Sequence, residues 1–135
     1  MTSQYVVDAL SWTEAESTII NELSALINGE FEIKEIKKAN YKEVFFSDSQ
    51  ADDKFYRMKV AFITYDEKTD DEKRTLVNYL LQAHDFNDAI HKMVDVMSHS
   101  MVDYTTINAS ESKIEDVFDH KDIINGQYTT GVTEK

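Results

Sequence analysis

The chain repeats itself. Residues 5–15, Tyr-Val-Val-Asp-Ala-Leu-Ser-Trp-Thr-Glu-Ala, return 74 positions later at residues 79–89 as Tyr-Leu-Leu-Gln-Ala-His-Asp-Phe-Asn-Asp-Ala. Tyr5, Ala9 and Ala15 meet Tyr79, Ala83 and Ala89 as identities, while Trp12 meets Phe86, Thr13 meets Asn87 and Glu14 meets Asp88. Each copy reads as an apolar strand, a short polar corner, and a helix that opens on an aromatic and an acid. The likeness continues at an offset of 73, with Phe31 against Tyr104 and Val44-Phe45 against Val117-Phe118. An internal period of this kind, in 135 residues, points to two small related units.

Local patterns fill in the units. The Tyr-Val-Val run predicts a strand over Tyr5–Leu10. Ser11 or Thr13 then caps a helix whose Ala15, Ile19, Ile20, Leu23, Leu26 and Ile27 fall on one face, closed by Asn28-Gly29. Phe31 to Phe46 reads as extended, with a bulge or bend at Asn40, and Ser47–Asp53 as a polar loop. Phe55–Tyr65 alternates most clearly: Tyr56, Met58, Val60, Phe62 and Thr64 should face the helices, and Phe55, Arg57, Lys59, Ala61 and Ile63 the other way. A charged turn at Asp66–Lys73 leads to the strand Arg74–His84. Asp85 or Asn87 caps a second helix, with Ala89, Ile90, Met93, Val94, Met97 and Met101 towards the core. Trp12 and Phe86 are read as wedges between helix and sheet. Tyr104–Ala109 is a further strand, and Glu111–Phe118 reads as a short helical turn.

The expected fold is therefore α+β: duplicated strand-strand-helix-strand units, with an antiparallel sheet backed by two helices. A single domain over residues 1–120 is made of halves 1–50 and 54–120, and residues 121–135 form a loose tail. The first unit lacks its opening strand, because the counterpart of residues 55–65 would precede Met1. The Tyr5–Leu10 strand would then expose an edge and favour a homo-oligomer formed through it.

Charge narrows the function classes. The formal net charge is −12, yet residues 34–59 carry seven bases against five acids, half of all the Lys and Arg in the chain. With no cysteine there is no disulfide framework or thiolate metal site. No apolar run reaches the ~20 residues of a membrane span, and no basic-then-apolar leader opens the chain, so a cytoplasmic protein without a membrane partner is expected.

Three runs carry a family resemblance: Tyr5 to Glu16, Tyr41-Lys42-Glu43-Val44-Phe45-Phe46-Ser47-Asp48, and Lys59-Val60-Ala61-Phe62-Ile63-Thr64-Tyr65-Asp66-Glu67-Lys68. They resemble an uncharacterised family of gut bacteria and their phages, domain of unknown function 4494, over roughly residues 4–120. Members of that family usually begin with one more strand. The resemblance implies a phage or mobile-element setting and brings no catalytic residues with it.

The basic window is the leading candidate site. Lys34, Lys37, Lys38, Tyr41, Lys42, Phe55, Arg57 and Lys59 mix cations with aromatics, as a surface for single-stranded DNA requires: charges meet phosphates and flat rings meet unstacked bases. The plainer reading is solvated strand faces with lysines guarding an edge. Asp88, His91 and Asp95 share a helical face, but an acidic surface helix produces that pattern easily, and no metal or other cofactor is expected. Asp66–Glu72 has no glycine at the EF-hand turn position and reads as a solvated hairpin tip. No nucleophile–base pair or phosphate-binding loop is present, so the chain is read as non-enzymatic. Two functions follow from different classes. One is single-stranded DNA binding in phage-related DNA metabolism. The other is an acidic interaction module that mimics DNA charge against a host nuclease or defence protein.

Overall fold

The computed structural model describes residues 2–118 and 127–134. Its elements, in order, are β1 (Thr2–Asp8), α1 (Trp12–Leu26), β2 (Phe31–Ala39), β3 (Tyr41–Phe45), β4 (Lys54–Tyr65), β5 (Glu72–Ala83), α2 (Phe86–Met97), β6 (Asp103–Glu111), β7 (Ile114–Phe118) and β8 (Gln127–Glu134). They divide into two compact units, one of Met1–Asn40 with Lys113–Lys135 and one of Tyr41–Ser112.

The first unit is a four-stranded sheet of order β2-β8-β1-β7, with α1 packed on one face. Its helix buries Ala15, Ile19 and Leu23, a stripe at four-residue spacing that meets Val7 and Ala9 of the neighbouring segment. Ser11 is the cap: its hydroxyl accepts from the Glu14 N–H at 3.1 Å, and the Glu14 carboxylate accepts from the Leu10 N–H at 2.9 Å. Two donors that the first helical turn cannot satisfy are thereby paired. At the other end Ile27 donates to the Leu23 carbonyl, and Gly29 turns the chain away at φ 134°, a conformation that disfavours a side chain.

The second unit has the order β3-β5-β4-β6 and carries α2. Ala89, Met93 and Met97 pack on Tyr56, Met58, Val60, Tyr79, Leu81 and Ala83. The helix-facing side of the Phe55–Tyr65 strand is thus the one its alternation implied. Asp85 caps this helix, accepting from the Asp88 N–H at 2.7 Å.

The two units share a plan down to register. In the first, Tyr5 stands beside Asp116 and Val7 beside Phe118 in a parallel ladder; in the second, Tyr79 stands beside Glu43 and Leu81 beside Phe45. Val7 faces Tyr128 as Leu81 faces Tyr56 in the antiparallel ladders. Tyr5 stacks on Phe118 at 5.8 Å, and Tyr79 lies against Phe45 at 5.5 Å. Even the ladder irregularity recurs, at Lys34 in β2 and at Ile107 in β6.

Several expectations are corrected. The place of the opening strand in the first unit is filled by β8, which runs antiparallel to both β1 and β2. Residues 127–134 are therefore an inner strand and not part of a loose tail, while 121–126 and 135 lie outside the described residues. The Tyr5–Leu10 segment presents no open edge, because β1 is bonded on one side to β8 and on the other to β7. The oligomer expected through that edge loses its physical basis. The halves 1–50 and 54–120 give way to a division at Asn40 and Lys113, and each unit has its own mixed sheet with one parallel ladder. Ile114–Phe118 is a strand, since Ile114 and Val117 are held by pairing to β1. Met101 lies beyond the end of α2 and is exposed, as is Val94 on the outer side of that helix. Trp12 and Phe86 are each half-exposed, with Phe86 edge-on to Tyr56 at 6.2 Å.

Ile19 and Met93 occupy equivalent core positions in their units. Ile19→Ala and Met93→Ala should each destabilise by about 2–5 kcal/mol, read from the shift of the urea unfolding midpoint. Deleting residues 127–135 should lower the melting temperature and cause aggregation visible by light scattering, because it strips the pairing from β1 and β2.

Candidate functional site

Charge is buried at one place in the second unit. The loop between β3 and β4 is folded by its own serines: the Ser47 hydroxyl accepts from the Ser49 N–H at 3.1 Å, and the Asp52 N–H donates to the Ser49 carbonyl at 3.1 Å. This turns Asp52 inward until only 7 % of it is exposed. An ionised carboxylate so placed needs partners, and it has three. Ser47 Oγ donates to it, Lys92 Nζ donates at 2.5 Å, and His84 Nδ1 lies at 3.0 Å.

Lys92 comes from α2 and His84 from the end of β5. The Lys92 ammonium also reaches Asp88 at 3.0 Å and the Gln82 carbonyl at 3.3 Å, so its three donors are all engaged. His84 Nδ1 is 3.1 Å from Asp88 as well, and its Nε2 is 3.5 Å from Asp85. Both ring nitrogens therefore face carboxylates. The hydrogen bond to Asp52 raises the His84 pKa against the opposing effect of burial, with Asp88 and Asp85 adding to it. The bond from Lys92 and then that from Ser47 hold the Asp52 carboxyl far below the usual range, against burial. Asp88 is lowered chiefly by Lys92 as well. For Lys92, burial disfavours the charge, but the bonds to Asp52 and Asp88 prevail and its pKa is raised.

Chemically this is an ionic, hydrogen-bonded latch tying the β3–β4 loop to the start of α2. Asp52, His84 and Asp88 offer oxygen and nitrogen atoms within 4.8 Å of one another, a spacing suited to a divalent ion. The Lys92 ammonium already bridges the two carboxylates, however, and offsets part of their charge without one. The repeat relates His84 and Lys92 to Leu10 and Thr18, so these two members of the latch have no counterpart in the first unit.

Beside the latch, a cleft of about 400 Å3 runs along β3, β5 and α2. Val44, Phe45, Phe46, Leu81 and Val96 make its apolar walls, while Ser47, Gln82, Lys92 and Asp95 supply polar groups. Ser47 and Lys92 belong to both features, and the Ser47 N–H donates to Gln82 Oε1 at 2.9 Å.

The basic window is distributed differently from the sequence expectation. Lys34, Lys37 and Lys38 lie on β2 in the first unit, and Tyr41, Lys42, Phe55, Arg57 and Lys59 lie in the second. Lys34 pairs with Glu32 at 2.5 Å and Lys37 with Glu35 at 3.2 Å, each on its own strand. Phe55 is 2 % exposed, with the Phe46 ring edge-on at 6.4 Å, and so offers no open face to a base. Tyr41 is half-buried; burial raises its pKa while the charge and hydrogen bond of Arg57 oppose the rise. Lys38, Lys42 and Arg57 are exposed, and Lys59 is half-buried.

A family model described as Domain of unknown function (DUF4494) matches residues 1–120. The chain belongs to that family. Neither a curated protein nor a solved structure matches it. In this DUF4494 chain no described helix is long and apolar enough to cross a membrane.

Sequence reasoning singled out Asp88, His91 and Asp95 as one helical face. In the structure Asp88 turns to Lys92 and His84, His91 is exposed, and Asp95 lines the cleft. The readable signal was instead His84, Asp88 and Lys92 at four-residue intervals. Nothing local marked Asp52, which arrives from 32 residues before His84.

The latch fixes the pH response. Asp52 and Asp88, with lowered pKa values, contribute stability above about pH 3.9, and that contribution is lost as the pH falls through their folded values. His84, with a raised value, contributes fully below about pH 6.5 and loses its contribution as the pH rises through its folded value. Stability from the latch should be greatest between roughly pH 4 and 6.5, and His84→Gln should flatten the alkaline decline in urea titrations at stepped pH. Lys92→Met should destabilise the protein, because it leaves the Asp52 charge buried without its main partner. In an Asp52→Asn background the same change should cost clearly less, a coupling measurable by a double-mutant cycle.

Proposed function

We propose that this protein is a non-enzymatic interaction module whose acidic surface engages the cationic, nucleic-acid-binding face of a partner protein. The observation that carries this reading is the β4–β5 hairpin tip. Asp66 Oδ1 accepts from the Lys68 N–H at 2.8 Å and the Thr69 N–H at 3.4 Å, and Asp70 takes a positive φ of 58° to complete the turn. Glu67, Asp70 and Asp71 are thereby held on an exposed, hydrogen-bonded turn. Fixed negative charge of this kind steers a basic partner and sets the register of encounter. The net charge of −12 acts in the same direction.

Single-stranded DNA binding is the competing reading, and it is less well supported. Two of its lysines are engaged by glutamates and its aromatic Phe55 is covered.

Fluorescence anisotropy with a labelled lysine-rich peptide and a labelled single-stranded oligonucleotide separates the two. The peptide should bind with an affinity that falls steeply with salt, and Glu67→Lys with Asp71→Lys should weaken it about tenfold. Oligonucleotide binding with a steep salt slope, abolished by changing Lys37, Lys38, Arg57 and Lys59 to Glu, would instead establish the DNA reading.

A further inference from the structure

In the second unit β3 is an outer strand, bonded to β5 and to no other described strand. One side of Lys42–Phe45 therefore presents main-chain N–H and C=O groups to whatever lies beyond the sheet, the arrangement to which an extended chain adds as a further strand. The cleft follows the same strand, between it and α2. In an extended peptide every second side chain points to the same face, so a segment paired to β3 would send alternate side chains into that cleft.

The cleft has a definite chemistry. Phe46 is 50 % exposed and lines the cleft with Phe45, Leu81 and Val96. The Lys92 charge at its inner end is already taken up by Asp52 and Asp88. Asp95, exposed on the helical wall, enters no ion pair among the described residues, so the surplus charge of the cleft is negative. The latch also holds both walls: Asp52 binds Ser47 at the end of β3 and Lys92 on α2. A groove held open in this way loses little freedom when it is filled.

We propose that the β3 edge and its cleft bind an extended segment of a partner protein in which basic residues alternate with apolar ones. The apolar side chains enter between Phe46 and Val96, a basic residue meets Asp95, and the main chain pairs with β3. The proposal rests on the reading of the protein as an acidic interaction module and supplies the local recognition that long-range charge alone lacks.

The test uses the full chain and three labelled peptides, read by anisotropy. One alternates Lys with Val and Phe, a second has Gly in place of Val and Phe, and a third carries the first sequence with alternate backbone nitrogens methylated. The first peptide should bind best, and both Phe46→Ala and Asp95→Lys should weaken it about tenfold without changing the circular dichroism spectrum. Methylation should remove the binding, since it blocks strand pairing and leaves the side chains in place. Equal binding of all three peptides, insensitive to Phe46→Ala, would overturn the groove while leaving the acidic module intact. Failure of every peptide to bind would overturn both. A dimer in light scattering that Phe46→Asp dissociates, with no peptide bound, would assign the edge to a second copy of the chain and refute the proposal.

Discussion

A strand buried on both faces must have its backbone polar groups paired along both edges, and this requirement organises the first unit. Val6 and Val7 are adjacent and therefore point to opposite faces, yet both are fully buried. Water cannot satisfy the N–H and C=O groups between them, so β1 needs a neighbour on each side. One neighbour is β7, whose parallel register the second unit repeats between β3 and β5. The other is β8, the last of the described elements, which enters the sheet between β1 and β2. The same position in the second unit is taken by β4, which directly precedes β5. One plan is thus reached by two routes through the sequence. The first route closes only when the last described strand has been made, so its central contacts span more than a hundred residues, from Thr2 to Thr133. Long-range pairing of this kind is slow to form, because loop closure must precede the contacts that reward it.

The second unit adds what the first does not have. Its plan is fulfilled by local hairpin pairing of β4 with β5, so the β3–β4 loop is not needed to close the sheet. That loop instead delivers Asp52 to the corner where β5 becomes α2. The capping arrangement there is common to both units, with Glu14 reaching back to the Leu10 N–H and Asp88 reaching back towards the His84 N–H. In the second unit Asp88 has a further task, because its carboxylate also meets Lys92 and His84. A helix cap has become part of a charge cluster. The cluster in turn fixes the two walls of a cleft that combines an apolar concavity with an exposed acid and an outer strand edge.

The acidic surface and the cleft act at different ranges. Exposed carboxylates on the hairpin tip are felt over about a Debye length, on the order of 8 Å at physiological salt. Contacts inside a cleft act only on arrival. A basic partner is drawn by the first and selected by the second, which is why an acidic module gains specificity from a groove that its net charge does not describe.

The sequence by itself determined the elements that are local and periodic: the helical stripes of Ala15, Ile19 and Leu23 and of Ala89, Met93 and Met97, the caps at Ser11 and Asp85, and the alternation of β4. It also exposed the repeat, and with it the need for one more strand in the first unit. Those features follow from residue spacing and side-chain chemistry that act over a few positions. Where the strand came from was decided by tertiary structure, because Gln127–Glu134 has little apolar content and becomes a strand through the ladders on both its sides. The same holds for the site. Asp88 and Lys92 stand four residues apart on α2, but Asp52 is given its role only by a loop that buries it, and Phe55 is removed from the surface only by packing. Periodicity shows which residues share a face; only the folded chain decides what that face meets.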